Sequence, residues 1–281
     1  MSPRLVSLLS DFGLADTYVG QMKGAVLAVA PDAQLVDVTH AVPPQDVRTG
    51  AFLLWSAVEV FPPGTVHLAV VDPGVGSTRR AVAAQAARGD VFVGPDNGLL
   101  TPAIGRLGGP AGAVELCDRT YWRTDQPSTT FHGRDVFGPV AGHLAKSVPL
   151  ERLGPPIELS RPFSLALADG LVGEVVYVDG FGNLVTNLPA ERLPAQFHVR
   201  LGERLIPSAP HYQAVGPGEL MAVIGSFGLL EISARDGSAA AVAGAARGSP
   251  VSLLPRQEQW TARRPRSGWS GARRGSGRPR H

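Results

Sequence analysis

The sequence lacks several features that would define its class. One cysteine, Cys117, among 281 residues excludes an intramolecular disulfide framework and a multi-cysteine zinc site, and it is typical of a reducing compartment. No apolar run reaches the roughly 20 residues that a transmembrane helix needs. The first residues hold one basic residue and a short apolar stretch that ends in an acid, which favours a buried strand over a signal peptide. We therefore expect a cytoplasmic globular protein that does not bind membranes.

Lysine is also scarce, and the charge is divided unevenly along the chain. The net charge of +2 suggests a nucleic-acid-binding protein at first sight. Residues 256–281, however, hold eight arginines and one glutamate, so residues 1–255 hold 18 basic and 23 acidic groups and carry a net charge of −5. The Arg-, Gly-, Ser- and Pro-rich end cannot form a core, and we predict a disordered tail there. Nucleic acid is therefore not an expected partner of the acidic body.

The first half of the chain alternates short apolar runs of β type with longer helical runs. This pattern is typical of a sheet with helices on its faces. We predict an α/β domain over residues 1–160 whose sheet is mixed but largely parallel. The predicted strands are 5–9, 34–38, 66–71, 81–86 and 91–93, and the predicted helices are 18–29, 46–60 and about 135–145.

The second half has a different pattern. Residues 148–162 are Pro-rich and irregular, which is typical of a linker. Beyond them, short β-like runs are separated by Gly and Pro, which predicts a smaller all-β domain over residues 168–255. The predicted strands of this domain are 173–178, 184–187, 197–201, 220–224, 229–233 and 251–254.

Two acidic residues directly follow predicted strands of the first domain. Ligands of α/β sheets bind at the carboxyl ends of strands, where Asp11 could accept two hydrogen bonds from a ribose diol. Asp11 could instead cap the next helix, although Asp16 is better placed for that role. The turn after Asp72 could bind an anion through its glycines or could simply be tight. Arg79, just beyond that turn, could pair with Asp72 and keep it ionised.

Two further segments carry groups suited to chemistry. His132 lies before a predicted helix, where its ring could face a pocket or serve as a surface or capping group, and Asp135 is the expected N-cap. Residues 179–187 form a hairpin in one interpretation. In the other, Asp179, Phe181 and Asn183 present a carboxylate, an aromatic face and an amide to an amino-acid group and a base. No metal-binding motif is present, so we expect no metal.

Taken together, these segments resemble a known family. The order of motifs is similar to that of the S-adenosyl-L-methionine (SAM) hydroxide adenosyltransferases, which are related to fluorinating and chlorinating SAM enzymes. The resemblance covers about residues 5–254, and it rests on SDFGLADTYVGQMKG (10–24), VVDPGVGSTRR (70–80), VGPDNGLL (93–100), TFHGRDVF (130–137) and DGFGNLVTN (179–187).

The resemblance implies a reaction and a set of site residues. Water would replace methionine at C5′ of SAM, giving adenosine and L-methionine without a cofactor, at sites between neighbouring subunits of a homotrimer. Asp72, Arg79 and His132 would handle the water, with the proton going to either Asp72 or His132. The implied substrate-binding residues are Asp11, Phe131, Gly133, Asp179, Phe181, Asn183, Ser226 and Glu231.

The resemblance also leaves alternatives open. In the halogenating relatives the positions of Asp72 and His132 differ, so keeping both residues favours water over a halide as the nucleophile. A halide-using SAM lyase and a SAM or adenosine sensor remain the alternative hypotheses. The sequence departs from the family pattern at Gly225, Arg235 and Ser238, where the family usually shows Asn, and these changes affect substrate recognition rather than the water-handling groups.

Overall fold

The computed structural model describes residues 5–160, 165 and 167–255. The predicted tail at 256–281 lies outside the described residues. Within the described part of the chain, no helix is both long enough and apolar enough to cross a bilayer. The strands fall into two sheets, one in each half of the chain.

The first sheet contains six strands of the described chain in the order β2-β1-β3-β5-β4-β6. The neighbouring pairs among β2, β1, β3 and β5 are parallel, whereas β4 pairs antiparallel with β5 and with β6. The predicted mixed, largely parallel sheet is therefore confirmed. Its strands are β1 (Leu5–Ser10), β2 (Gln34–Thr39), β3 (Val66–Val70), β4 (Ala81–Ala86), β5 (Val91–Pro95) and β6 (Pro110–Glu115).

Helices cover both faces of this sheet, which explains why its central strands read as continuous apolar runs. Because side chains alternate along a strand, Val6 and Leu8 of β1 enter one core and Leu9 enters the other. Helices α1 (Tyr18–Val29) and α4 (Gly138–Ala145) pack on the first face, and α2 (Val47–Ala57) and α3 (Thr101–Arg106) pack on the second.

The second sheet is antiparallel at every described pairing, in the order β10-β9-β13-β7-β8-β12-β11. It encloses a core of its own together with a short helix, α5 (Ala239–Ala243). This arrangement agrees with the predicted second, β-rich region. Its strands are β7 (Val172–Val178), β8 (Leu184–Pro189), β9 (Phe197–Leu201), β10 (Arg204–Pro207), β11 (Leu220–Ile224), β12 (Leu229–Ala234) and β13 (Pro250–Pro255).

The structure differs from the sequence expectations in some short elements. The elements β6, α3, β10 and α5 were not predicted; they are four to six residues long, too short for a clear hydrophobic period. The predicted helix 46–60 is α2 followed by a 3₁₀ turn, Val58–Val60. Asp16 does not cap α1: the N-cap is Thr17, and its side chain makes no capping bond.

The two halves of the chain are in contact. Phe52 and Trp55 of α2 pack with Val185 and Leu229 of the second sheet. Arg247 also donates to Asp46 at 2.5 Å and to Thr49 at 2.7 Å, at the start of α2. The Pro-rich stretch before the second half packs on the first sheet, where Leu153 is buried and Ile157 donates its N–H to Ala113.

The close approach of α1 and α4 generates a testable prediction. A Cβ atom on Gly142 of α4 would lie 2.8 Å from Val26 O and from Val29 Cβ, whereas a Cβ on Gly24 of α1 would meet nothing within 4 Å. We expect Gly142→Ala to lower the free energy of unfolding by about 1–3 kcal/mol, because the helices must separate. The matched variant Gly24→Ala should raise it by about 0.5–1 kcal/mol. Urea denaturation measures both, and equal effects would contradict this packing.

Candidate functional site

A cavity of about 270 Å³ opens at the carboxyl ends of β1 and β3. These strands are parallel neighbours, with Ser10 opposite Val70, so the acids that follow them reach the same edge. Asp11 and Asp72 both line the cavity, as the sequence analysis expected. The other lining residues that matter for its chemistry are Phe12, Gln45, Phe131, His132 and Gly133.

Arg79 joins two of the ionisable groups that line this cavity, Asp72 and His132. Its Nε donates to Asp72 Oδ1 at 2.9 Å, and its Nη2 donates to Asp72 Oδ2 at 2.5 Å. The same Nη2 lies 2.7 Å from Nδ1 of His132. The three groups that the sequence analysis assigned to water handling therefore form one hydrogen-bonded cluster, although Asp72 and His132 are far apart along the chain.

This geometry defines the protonation state of His132. A guanidinium is always charged and can only donate, so Nδ1 of His132 must accept, and the imidazole is neutral with its proton on Nε2. Burial lowers the pKa of His132 below its ordinary value, and the charge of Arg79 lowers it further, against the opposing effect of Asp72. In this arrangement His132 offers the cavity a hydrogen-bond donor and no free lone pair.

The turn that carries Asp72 is built from short-range bonds. Val75 donates its N–H to Asp72 O, and Ser77 donates its N–H to Gly74 O. Gly76 has φ +75°, and a Cβ there would lie 2.3 Å from Thr129 O, so only glycine lets this turn approach the His132 segment. The glycine-rich turn thus brings Arg79 within reach of both partners. No anion-binding role is needed to explain it.

Asp135 holds the segment that carries His132, and it is not the N-cap that the sequence suggested. It lies inside a π-helix, Gly133–Phe137, with its side chain 1% exposed. It accepts hydrogen bonds from Arg134 and Arg123 at 2.7 Å and from Ser128 N at 2.9 Å. The bond from Arg134 contributes most to keeping the pKa of Asp135 well below its ordinary value, against the effect of burial. A carboxylate in that position organises the loop from three sides.

Asp11 is held by a residue that sequence reasoning missed. Gln45 donates its backbone N–H to Asp11 Oδ2 at 2.8 Å, and it has φ +65°, a left-handed conformation that costs energy for a residue with a Cβ. Gln45 precedes α2 and lines the cavity. Glutamine gives no sequence signal for such a backbone, so only the folded chain reveals this role.

Aromatic rings form one wall of the cavity. The Phe131 ring packs edge-on against Phe12, with centroids 5.7 Å apart, and against Tyr18, with centroids 5.2 Å apart. A Cβ on Gly133 would lie 3.2 Å from the Phe12 ring, so glycine lets this wall close. Phe131 and Gly133 were expected substrate-binding residues, and the structure places both at the cavity. Phe12 and Tyr18 were not singled out.

The candidates of the second domain lie elsewhere. The Asp179 segment is the predicted hairpin: Asp179 Oδ1 accepts the backbone N–H groups of Phe181 and Asn183, and its Oδ2 accepts Asn183 Nδ2, each at 2.9 Å. Phe181 is 82% exposed. Phe181 and Asn183 line a second cavity of about 640 Å³ together with Tyr212 and Arg235. The carboxylate of Asp179 is thus engaged in shaping the loop that presents the other two side chains.

Glu231 and Ser226 line neither of these cavities. Glu231 is 5% exposed, and its Oε1 accepts from Tyr212 at 2.9 Å and from Ser233 at 2.6 Å. Ser226 is exposed. A Cβ on Gly225 would lie 2.8 Å from Glu231 Oε2, so the glycine at this departure from the family pattern leaves room for the carboxylate.

The other two departures have structural roles. Arg235 donates to Val215 O at 2.9 Å and lines the second cavity. Ser238 caps α5 by accepting the N–H of Ala241. Across the described ranges, no group of three or more His, Cys, Asp or Glu side chains is arranged to hold a metal ion.

Two family models match the chain. The model of the SAM hydroxide adenosyltransferase N-terminal domain matches residues 6–154, and that of the C-terminal domain matches residues 173–252. The similar curated proteins include the (R)-S-adenosyl-L-methionine hydrolase of Thermus thermophilus, which is 44% identical over 89% of this chain and 100% of its own length. The Salinispora tropica protein of the same name is 43% identical over 86% of this chain and 95% of its own length. A fluorinase of Nocardia brasiliensis is 30% identical over 82% of this chain and 89% of its own length.

Solved structures agree with this match. The crystal structure of an uncharacterized conserved protein from Thermotoga maritima is 35% identical with a TM-score of 0.83, and it covers 89% of this chain and 100% of that chain. A conserved hypothetical protein from Thermus thermophilus is 46% identical with a TM-score of 0.76 and the same coverage. On the two domain matches and on this similarity, the chain belongs to the SAM hydroxide adenosyltransferase family.

Proposed function

We propose that this protein hydrolyses SAM to adenosine and L-methionine at the cavity between Asp11 and His132. The similar proteins of Thermus and Salinispora are named (R)-S-adenosyl-L-methionine hydrolases at 43–44% identity, whereas the fluorinase of Nocardia is more distant at 30%. The single observation that carries the mechanism is the bond from Arg79 Nη2 to Nδ1 of His132, made while Arg79 also binds Asp72.

This bond assigns different roles to the two candidate bases. His132 has its Nδ1 lone pair occupied and its proton on Nε2, so it donates to the oxygen of the attacking water rather than taking a proton. Among the described residues, Arg79 Nε alone donates to Oδ1 of Asp72, and that oxygen keeps a lone pair. Asp72 is therefore the group that removes the proton from water. Arg79 places both groups and cannot itself act as a base.

The reaction is an in-line displacement. The water oxygen forms a bond to C5′ while the C5′–S bond breaks, and the electron pair of that bond leaves with sulfur as the neutral thioether of methionine. One water proton passes to Asp72 and then to solvent, so SAM and water give adenosine, methionine and a proton. Methionine leaves as a neutral thioether and needs no acid assistance, and no cofactor is needed. Because charge is neutralised as the bond forms, a dry cavity favours this step.

Substrate binding divides between the two cavities. Asp11, whose carboxylate is oriented by Gln45, binds the ribose diol. Phe181 and Asn183 lie in the separate cavity of the second domain and bind base or amino-acid groups. This separation supports a homotrimer in which the second domain of one subunit completes the first-domain site of its neighbour and excludes water.

Oxygen-18 labelling tests the reaction directly. In H₂¹⁸O, mass spectrometry should find the label in the 5′-hydroxyl of adenosine, and prior treatment with EDTA should not change the rate.

Asp72→Asn should lower kcat by about 100- to 10,000-fold, because general-base assistance is lost. With added chloride or fluoride, adenosine should remain the product. Formation of 5′-halo-5′-deoxyadenosine would show a halide-using lyase, and SAM binding without turnover would show a sensor.

The pH dependence tests the role of His132. The pKa of His132 is lowered, so its ring stays neutral at pH values below the ordinary pKa near 6.5 and becomes charged only as the pH falls further. We expect kcat/KM to be constant from about pH 9 to pH 7 and to fall on the acid side with an apparent pKa below 6.5. His132→Asn keeps an acceptor for Arg79 but cannot titrate, and its profile should lack this fall above about pH 5. The control His143→Gln, remote from the cavity, should keep it.

Mixed trimers test the location of the sites. Asp72→Asn disables the first-domain half of a site, and Asn183→Ala disables the second-domain half. Equal co-expression should restore about 25% of parental activity, because about three quarters of the trimers are mixed and each mixed trimer contains one intact site of three. A mixture as inactive as its components would place both halves of a site in the same subunit.

A further inference from the structure

A hydrogen-bonded network of polar side chains runs beneath the loop that carries Asp11. Its outer members, Lys23 and Asp37, are partly exposed, and its inner members, Ser10 and His40, are buried. Lys23 donates to Asp37 Oδ2 at 2.7 Å, and Nε2 of His40 lies 3.1 Å from Asp37 Oδ1. On the other side of the ring, Nδ1 of His40 lies 2.7 Å from Ser10 Oγ. Ser10 is 0% exposed and His40 is 4% exposed, so water does not replace the bond between these two side chains.

This hydrogen-bonded network ends on the backbone around Asp11. Ser10 Oγ accepts the N–H of Phe12 at 3.3 Å, and the carbonyl of His40 accepts the N–H of Gly13 at 2.8 Å. In its neutral form His40 donates from Nε2 to Asp37 and accepts from Ser10, which leaves the Ser10 oxygen free to accept from Phe12. Ser10 and Phe12 flank Asp11, so His40 fixes the backbone on both sides of that residue.

The fold brings these residues together at the cavity edge. Ser10 ends β1, and His40 directly follows β2, the parallel neighbour of β1. The register between the strands shifts at Leu8 and Leu9, which pair with Asp37 and Thr39. The shift lies at the end of β2, where Asp37 and the following His40 form their pair.

The same sheet contains a second hydrogen-bonded network, also of Ser, His and Asp, that does not reach the cavity. Ser7 Oγ lies 2.6 Å from Nδ1 of His67, and Nε2 of His67 lies 3.3 Å from Asp90 Oδ1. Ser7 is 1% exposed, and His67 and Asp90 are 0% exposed. None of these three residues lines the cavity. This second network therefore serves as a control for the effect of such hydrogen bonds on stability alone.

We propose that Ser10 and His40 are positioning residues of the substrate site, which orient Asp11 toward the ribose diol and so determine the affinity for the nucleoside. The proposal rests on the proposed function, because it assigns the diol to Asp11. Neither residue contacts the reacting atoms. Loss of the Ser10–His40 hydrogen bonds should weaken recognition of the 2′-hydroxyl and raise KM for SAM. The value of kcat, which depends on Asp72 and His132, should change little.

Calorimetry with adenosine and 2′-deoxyadenosine tests the proposal on full-length protein. Parent protein should prefer adenosine. In Ser10→Ala we expect about tenfold weaker adenosine binding, because a hydrogen bond to the charged Asp11 is misaligned. Binding of 2′-deoxyadenosine should change about twofold or less, so the preference disappears. The matched variant Ser7→Ala loses an equivalent buried hydroxyl and should keep the parental preference.

Substitutions of His40 give an independent test. His40→Leu removes both bonds of the ring and should also abolish the preference, whereas the amide oxygen of His40→Asn can accept from Ser10 and should restore most of it. An unchanged preference in Ser10→Ala, or an equal loss in Ser7→Ala, would overturn the positioning role while leaving SAM hydrolysis by the parent intact. If the parent neither hydrolyses SAM nor binds adenosine, the proposed function fails and this inference fails with it.

Discussion

The chemistry of the site depends on one guanidinium shared between a carboxylate and an imidazole. Arg79 binds Asp72 at two oxygens and His132 at Nδ1. Since Arg79 can only donate, the sharing fixes His132 as a neutral ring that donates from Nε2. The arrangement separates two groups that could each have served as base. In the proposed mechanism, His132 orients the water and Asp72 receives its proton.

The surrounding structure keeps that cluster in place. The Asp72 turn can approach the His132 segment because Gly76 has no side chain to strike Thr129. The His132 segment is fixed in turn by Asp135, a buried carboxylate with two arginine partners. Gln45, which also lines the cavity, adopts an unfavourable backbone conformation and donates its N–H to Asp11. A left-handed residue and a buried carboxylate thus support the groups that line the cavity.

Much of this site could be predicted because parallel strands end at one edge of the sheet. The acids after β1 and β3 were expected to meet there, and the alternation of apolar runs indicated both sheets. The left-handed Gln45, the π-helix around Asp135 and the Ser10–His40 contact could not be predicted. Each depends on packing between segments distant in sequence, for which glutamine, aspartate or histidine in a single sequence gives no local signal. The short strand β6 and helix α3 were missed because neither is long enough to show a clear hydrophobic period.

The division of roles between Asp72 and His132 depends on the tautomer of His132. Nitrogen-15 NMR of histidine-labelled protein, with the His132 signals assigned by their loss in His132→Asn, measures the protonation of each ring nitrogen at about pH 7, above the ordinary histidine pKa. We expect a neutral ring with its proton on Nε2 and an unprotonated, hydrogen-bonded Nδ1. A proton on Nδ1, in either a neutral or a charged ring, would contradict the shared Arg79 and the division of roles between Asp72 and His132.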